Sequence, residues 1–182
     1  MERYSFRLLF FLATLMTLAA CGPTLTPFTQ DLYDRYRWSD SELQQIQFYL
    51  SHDIVLKREV IGGSSEIISG EIRVEDGRRI EQIAFRRGTP GVLLFRPKDD
   101  RFAISFEDGG ETRFLMFGPN PKMGDRYALL AAEWNRRQGA VTYDGRKFKV
   151  EADDALASLM VDLKRLNKVD VNSRVARGRR VN

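Results

Sequence analysis

The chain is poor in the residues on which metal sites and nucleophilic enzymes depend, because its 182 residues include one cysteine and one histidine. A single cysteine excludes a disulfide within the chain, so the fold depends on its hydrophobic core. A single histidine, His52, excludes histidine-rich zinc sites and restricts any serine–histidine mechanism to that residue. We therefore expect no metal site and no cofactor.

Other catalytic motifs are also missing. No serine is followed three residues later by lysine, and Gly62-Gly63-Ser64-Ser65 lacks the Lys-Ser/Thr of a phosphate-binding loop. The acidic pairs Asp99-Asp100, Glu107-Asp108 and Asp153-Asp154 lie in predicted turns, where water solvates them. Glu133, in an apolar segment, is the one acid whose neighbours suggest burial. Together these observations predict a protein that is not an enzyme.

Long hydrophobic runs are absent as well. The longest, Leu8 to Leu18, is interrupted by two threonines and is shorter than the roughly 20 residues of a membrane-spanning helix. Arg3 and Arg7 lie just before it, and small residues follow it. A basic start, a short apolar run and small residues are the layout of a secretory signal peptide.

The small residues lead directly into the cysteine, as Leu18-Ala19-Ala20-Cys21. This stretch resembles the lipobox of bacterial lipoproteins, which is Leu-Ala/Ser-Gly/Ala-Cys. The resemblance implies that the Cys21 thiol carries a diacylglycerol, that the signal is removed before Cys21, and that the new amine is acylated. Several acyl chains anchor a protein stably, whereas one does not. In many bacterial lipoproteins an aspartate after the lipidated cysteine signals retention in the inner membrane, so the resemblance implies that a chain with Gly22 there goes to the outer membrane. The periplasmic side is expected, with the inner membrane and the cell surface left open.

These features divide the chain into residues 1–20 (signal peptide), 21–29 (lipidated cysteine and short tether), 30–168 (one β-rich domain) and 169–182 (basic tail). Without residues 1–20, 162 residues remain, with 27 Lys and Arg against 24 Asp and Glu, a net charge of +3. This mild excess does not indicate nucleic-acid binding. The basic tail is expected either to contact anionic lipid headgroups or to be a solvated chain end.

A helix is predicted at the start of the domain. Ser39 and Glu42 form a capping box, and apolar residues at helical spacing extend the predicted helix to Ser51-His52. At that helix end, His52 would interact with the helix dipole. Residues 31–38, in which aromatic and charged residues alternate, are predicted to be a short helix or a lead-in strand.

From Asp53 onward the pattern is that of strands. Three Asp-Gly dipeptides mark predicted hairpins: Asp76-Gly77 and Asp144-Gly145 are typical two-residue turns, and Asp108-Gly109 belongs to a hairpin loop with Gly110. The predicted cross-strand pairs are Glu75 with Arg78, Gly70 with Ile83, Ile68 with Phe85, and Val141 with Phe148. Alternation over residues 68–75 predicts a half-buried strand, and in the second hairpin Thr142, Lys147, Lys149 and Glu151 are predicted to lie on a solvated face. Residues 154–167 fit a helix and a last strand equally well. The predicted fold is mainly β, an antiparallel barrel or sandwich of about eight strands preceded by an N-terminal helix.

The longest predicted loop, residues 118–125, offers Asn120, Lys122 and Met123 as possible contacts for a partner or ligand. The first hypothesis is therefore a non-enzymatic lipoprotein, held to the membrane by lipid on Cys21, that binds a protein of the cell envelope. An alternative is a carrier or sensor of a lipid or other hydrophobic ligand in a barrel cavity. The side chains that would line this cavity are Phe85, Phe95, Phe102, Phe106, Phe114 and Phe117. Under the competing interpretation, the same phenylalanines form the packed core. A third hypothesis is a hydrolase that uses carboxylates.

Overall fold

The computed structural model describes residues 24–60, 70–75, 77–135 and 137–169. In these residues, thirteen strands form two antiparallel sheets that pack face to face as a sandwich around one core. The predicted mainly β, antiparallel class is confirmed, with the sandwich rather than the closed barrel as its form. More strands are present than the eight expected, because several are only three or four residues long.

The first sheet has seven strands. In spatial order they are β1 (Leu25–Pro27), β13 (Leu159–Asp162), β2 (Phe48–Leu50), β6 (Pro90–Lys98), β7 (Arg101–Ser105), β8 (Leu115–Asn120) and β9 (Arg126–Leu129). The sheet curls until β9 approaches its first strands, through the isolated bridges Thr29–Arg126 and Ala128–Ser158. These bridges are too few to close the sheet into a continuous barrel.

The second sheet has six strands. In spatial order they are β10 (Ala132–Asn135), β11 (Gln138–Tyr143), β12 (Arg146–Glu151), β3 (Ile54–Glu59), β5 (Arg78–Phe85) and β4 (Glu71–Glu75). The hairpins β4–β5 and β11–β12 have the predicted registers, with Glu75 opposite Arg78 and Val141 opposite Phe148. The predicted partner of Phe85, Ile68, lies outside the described residues.

Burial along β4 differs from the prediction. Its alternation suggested a strand half-buried in the sandwich, but Val74 is 72% exposed. The reason is position, because β4 is the last strand of its sheet and extends beyond the core. Whether a strand lies at the edge depends on the strand order of the whole sheet, so the alternation within β4 could not predict its exposure.

In the part of the chain that the structure describes, three short α-helices accompany the sheets: α1 (Gln30–Tyr36), α2 (Asp40–Leu43) and α3 (Leu163–Val169). In the described residues, none of the helices has the length and apolar character needed to span a membrane. The capping box of Ser39 and Glu42 is confirmed at the start of α2. The predicted continuation of α2 to Ser51-His52 is wrong, because Phe48–Leu50 pair with β13 and β6 as strand β2. Tertiary pairing here prevails over a helical spacing of apolar residues.

The segment at 154–167 contains both predicted elements in succession. A short 3-10 helix at Asp154–Leu156 precedes strand β13, in which Leu159 and Val161 are fully buried. Helix α3 follows at once and buries Leu166. The tail beyond Val169, predicted to be basic and solvated or lipid-bound, lies outside the described residues.

Phe28 lies at the centre of the core. Its side chain is fully buried and its ring is 4.9–6.0 Å, between centroids, from those of Trp38, Phe48, Phe102 and Tyr127. The prediction that residues 21–29 form a tether is therefore wrong for residues 25–29, since β1 and Phe28 belong to the folded domain. A three-residue strand that contains one proline and one threonine resembles a linker in the sequence unless its distant partner, β13, is known.

Candidate functional site

The predicted loop 118–125 is shorter in the structure, because residues 118–120 are the end of β8 and pair with β9. Residues 121–125, which include Lys122 and Met123, form a compact turn. The Asn120 side chain accepts a hydrogen bond from the Lys122 backbone N–H at 3.0 Å, and Gly124 ends the 3-10 helix in a left-handed conformation. Met123 lines a groove with Thr26 and Pro27 of β1. The three predicted contact residues are thus brought together beside the first strand of the domain. Cys21, the predicted lipidation site, lies outside the described residues.

His52 follows a strand, not a helix, so its predicted position at a helix end is wrong. Its Nδ1 lies 2.8 Å from the Ser51 hydroxyl oxygen. That oxygen accepts hydrogen bonds from the backbone N–H and the hydroxyl of Ser158, at 2.8 and 3.1 Å. The Ser51 oxygen is therefore occupied as an acceptor, in an arrangement that ties the end of β2 to the start of β13.

Glu133, for which the apolar neighbours in the sequence suggested burial, is exposed. Its carboxylate pairs with the Lys147 ammonium at 2.7 Å, and 65% of its side chain is accessible. The expectation of burial is wrong because β10 is an edge strand whose four residues are all exposed. In the described part of the chain, no group of three or more His, Cys, Asp or Glu residues could hold a metal ion.

Another acid, Glu107, joins the two sheets. It accepts a hydrogen bond from the Tyr143 hydroxyl at 2.5 Å and lies 3.5 Å from the Arg113 guanidinium. Burial and the Glu107 carboxylate raise the pKa of Tyr143 well above its usual range. The phenol is therefore a permanent donor in this contact.

Asp144 continues this cluster at the β11–β12 turn. Its carboxylate accepts from the Thr112 hydroxyl at 2.6 Å and from the Arg113 Nε at 3.3 Å. These bonds, that from Thr112 foremost, lower the pKa of Asp144. Since the cluster connects the loop after β7 to the β11–β12 hairpin and its polar groups satisfy one another, it acts as a structural clamp.

The outward face of the six-stranded sheet forms an open groove of about 570 Å³. All six strands line it, from Glu133 and Asn135 of β10 at one edge to Glu75 of β4 at the other. The sheet is therefore curled so that its two edge strands flank a common concave surface. This volume is in the range of small-ligand and peptide-binding clefts. We call this surface the sheet groove.

Lysines occupy the middle of the sheet groove. Lys57 of β3 and Lys149 of β12 are directly opposite each other across the strand pair. Like charges in this arrangement destabilise a sheet. Lys57 is 3.4 Å from Glu75 in a half-exposed ion pair, whereas Lys149 has no ion-pair or hydrogen-bond partner among the described residues.

The acids around these lysines mostly have partners of their own. Glu59 lies 3.6 Å from Arg78, and Glu151 accepts a hydrogen bond from the Gln138 side chain at 2.7 Å. Together with the Lys147–Glu133 pair, these contacts leave Lys149 as the cation best placed to receive an added anionic group. Chemically, the sheet groove is suited to binding a carboxylate or phosphate group.

The sequence pattern found only part of this site. Alternation in 146–151 predicted a solvated face containing Lys147, Lys149 and Glu151, and the structure places all three in the sheet groove. Lys57 was missed, because no local signal shows that β3 pairs with β12. Only the strand order brings the two lysines together.

The strand phenylalanines divide into two groups. Phe85, Phe102 and Phe117 are buried in the core, as the packed-core interpretation predicted. Phe95 is 42% exposed and contacts Phe114 edge to face, with ring centroids 5.0 Å apart, on the surface of the sandwich.

Comparison with known proteins adds no family to this description. No protein-family model, no curated protein and no solved structure matches the chain. The residues and geometry of the sheet groove are therefore the basis for the function proposed below.

Proposed function

We propose that this protein is a lipid-anchored, non-enzymatic lipoprotein of the bacterial cell envelope that binds a partner protein through the sheet groove. The anchor is supported by the lipobox ending at Cys21 and by the short chain between Cys21 and β1. Binding on the periplasmic side of the outer membrane agrees with Gly22 after the cysteine.

The observation that carries the binding proposal is the opposed pair of Lys57 and Lys149. A carboxylate placed between the two ammonium groups would relieve their repulsion and give Lys149 a partner. An acidic segment of an envelope protein supplies such a carboxylate. A protein segment can enter the sheet groove because the groove is open along the sheet rather than enclosed. Charge complementarity of this kind contributes to specificity and association rate.

Site-specific photocrosslinking in cells tests the binding proposal. A photoreactive residue replaces Ala140, which lines the sheet groove, in the full-length lipoprotein. The matched control carries it at Val92, an exposed residue of the other sheet. We expect a discrete cross-linked protein from position 140, absent from position 92 and lost when Lys149→Glu is added. Absence of any product from position 140 would contradict the binding proposal.

The anchor has a separate test. Cys21→Ala is expected to move the protein from the membrane fraction to the soluble fraction and to remove the acyl mass of the mature chain. Persistent membrane association of the variant would overturn the lipid anchor. Native mass spectrometry of residues 22–182 tests the alternative of a lipid carrier, which requires a bound ligand that survives gentle ionisation.

A further inference from the structure

A second groove lies beside β1, at the start of the folded domain. It has a volume of about 440 Å³ and is lined by residues that include Thr26, Pro27, Met123, Arg126 and Leu163. The exposed ion pair of Asp31 and Arg35 also lines it and adds no net charge. We call this surface, together with the adjoining Lys122 and Lys164, the anchor face. It belongs to the seven-stranded sheet and its helices, and shares no residue with the sheet groove.

Backbone contacts hold the anchor face together. Leu25 is opposite Asp162 in the β1–β13 pair, so α3 begins where β1 begins. The Gln30 N–H donates to the Asp125 carbonyl at 3.0 Å, and Thr29 bridges to Arg126. The loop containing Lys122 and Met123 is therefore fixed next to the first strand.

The chain between the proposed lipid and this face is short. Leu25 is four residues after Cys21, and four fully extended residues span at most about 14 Å. The headgroup layer on each side of a bilayer is itself roughly 5–8 Å thick. A lipidated Cys21 would thus hold the start of β1 within about 14 Å of the position of Cys21, and therefore in or next to the headgroup layer.

The side chains of the anchor face match such a surface. Lys122, Arg126 and Lys164 are exposed and have no ion-pair partner among the described residues. Met123 and Leu163 are half-buried apolar residues between them. Basic residues beside a short apolar surface suit contact with anionic lipid phosphates and the upper acyl region.

We infer that the domain rests on the bilayer by its anchor face, with Met123 at headgroup level and Lys122, Arg126 and Lys164 against lipid phosphates. This orientation rests on the proposed lipidation of Cys21. It assigns the turn at 121–125 to the membrane and leaves the sheet groove, in the other sheet, for the partner protein.

A single-cysteine experiment tests the orientation. Lipidation consumes the sole native thiol, so Met123→Cys in the full-length lipidated protein provides one labelling site. The control is Thr142→Cys, on the exposed face of β11. Both are labelled with an environment-sensitive fluorophore and reconstituted in vesicles of phosphatidylethanolamine and phosphatidylglycerol. We expect blue-shifted emission and quenching by a lipid-borne quencher at position 123 but not at position 142. Equal, water-like emission at both positions would overturn the orientation.

A charge variant and a mass measurement complete the test. Lys122→Glu with Arg126→Glu should abolish the blue shift at position 123, while Arg79→Glu with Arg87→Glu, exposed cations of β5 and the turn after it, should leave it unchanged. Intact mass of the same preparation separates the two proposals. A chain without diacylglycerol overturns both the anchor and the orientation, whereas a lipidated chain with a water-exposed position 123 overturns the orientation alone. A cross-link from position 123 to an envelope protein, instead of lipid, would also overturn it.

Discussion

Arg58 and Glu81 are directly opposite each other on β3 and β5 and form an ion pair on the inward face of the sheet. The Glu81 carboxylate is fully buried and accepts from the Arg58 Nε at 3.1 Å, while the guanidinium lies 5.5 Å above the Phe148 ring. In the same two strands, the next inward positions are apolar. The ion pair therefore occupies an inward-facing position at which the alternation of β3 and β5 would place an apolar residue.

Breaking this pair on one side should be costly. Arg58→Met removes the guanidinium that pairs with the fully buried Glu81 carboxylate, and we expect a loss of about 3–5 kcal/mol in the free energy of unfolding. The double variant Arg58→Met with Glu81→Leu removes both charges and should recover most of that loss. Urea denaturation of residues 22–182 measures each value. A single variant as stable as the parent would show that the pair is not buried in solution.

The position of Phe28 gives a second prediction. Phe28→Ala should lower the free energy of unfolding by about 3–5 kcal/mol, because a large ring at the centre of the core is removed. Phe95→Ala, at an exposed position, serves as the control and should cost less than half as much. If Phe28→Ala and Phe95→Ala lower the free energy of unfolding by the same amount, residues 25–29 would be a tether and β1 would not belong to the domain.

Acid sensitivity should depend on Asp144. Its folded-state pKa is lowered by Thr112 and Arg113, so the ionised carboxylate stabilises the fold above its ordinary pKa of 3.8. That stability is lost as the pH falls through the lower, folded-state pKa. Asp144→Asn, which tolerates the positive φ of 49°, should therefore destabilise at neutral pH and flatten the pH dependence below about pH 4. Chemical denaturation across this range checks it, with exposed Asp108→Asn as the control. Parallel curves for parent and Asp144→Asn would contradict the assignment.

Gly91 tests the close packing between β6 and β7. A Cβ at this position would lie 2.5 Å from the Phe106 ring and 2.8 Å from Ile104 Cγ2. Gly91→Ala should therefore cost about 1–3 kcal/mol through overpacking. Pro90→Ala, at the exposed neighbouring position, is the matched control for thermal denaturation. An unchanged midpoint for Gly91→Ala would mean that the Phe106 ring moves freely away.

Prediction from sequence succeeded where a structure is formed by neighbours in the chain. The capping box at Ser39 and the Asp144-Gly145 hairpin depend on contacts within a few residues, and both are confirmed. It failed for Phe48–Leu50, where apolar residues at helical spacing belong to a strand between β13 and β6. The candidate site was also predicted only in part. The local alternation placed Lys149 on a solvated face, but it could not show that Lys57 lies directly opposite Lys149 on the neighbouring strand.

The amino-acid sequence by itself determined the predominance of antiparallel strands, the two tight hairpins and the exclusion of a disulfide within the chain, and it predicts the lipid anchor. These depend on composition and on short-range stereochemistry. The tertiary structure alone decided that Phe28 fills the core, that Glu81 is buried with Arg58, and that Lys57 meets Lys149 in a groove. Each of these results from pairing between segments separated along the chain, which is selected by burial of the whole core rather than by any local pattern.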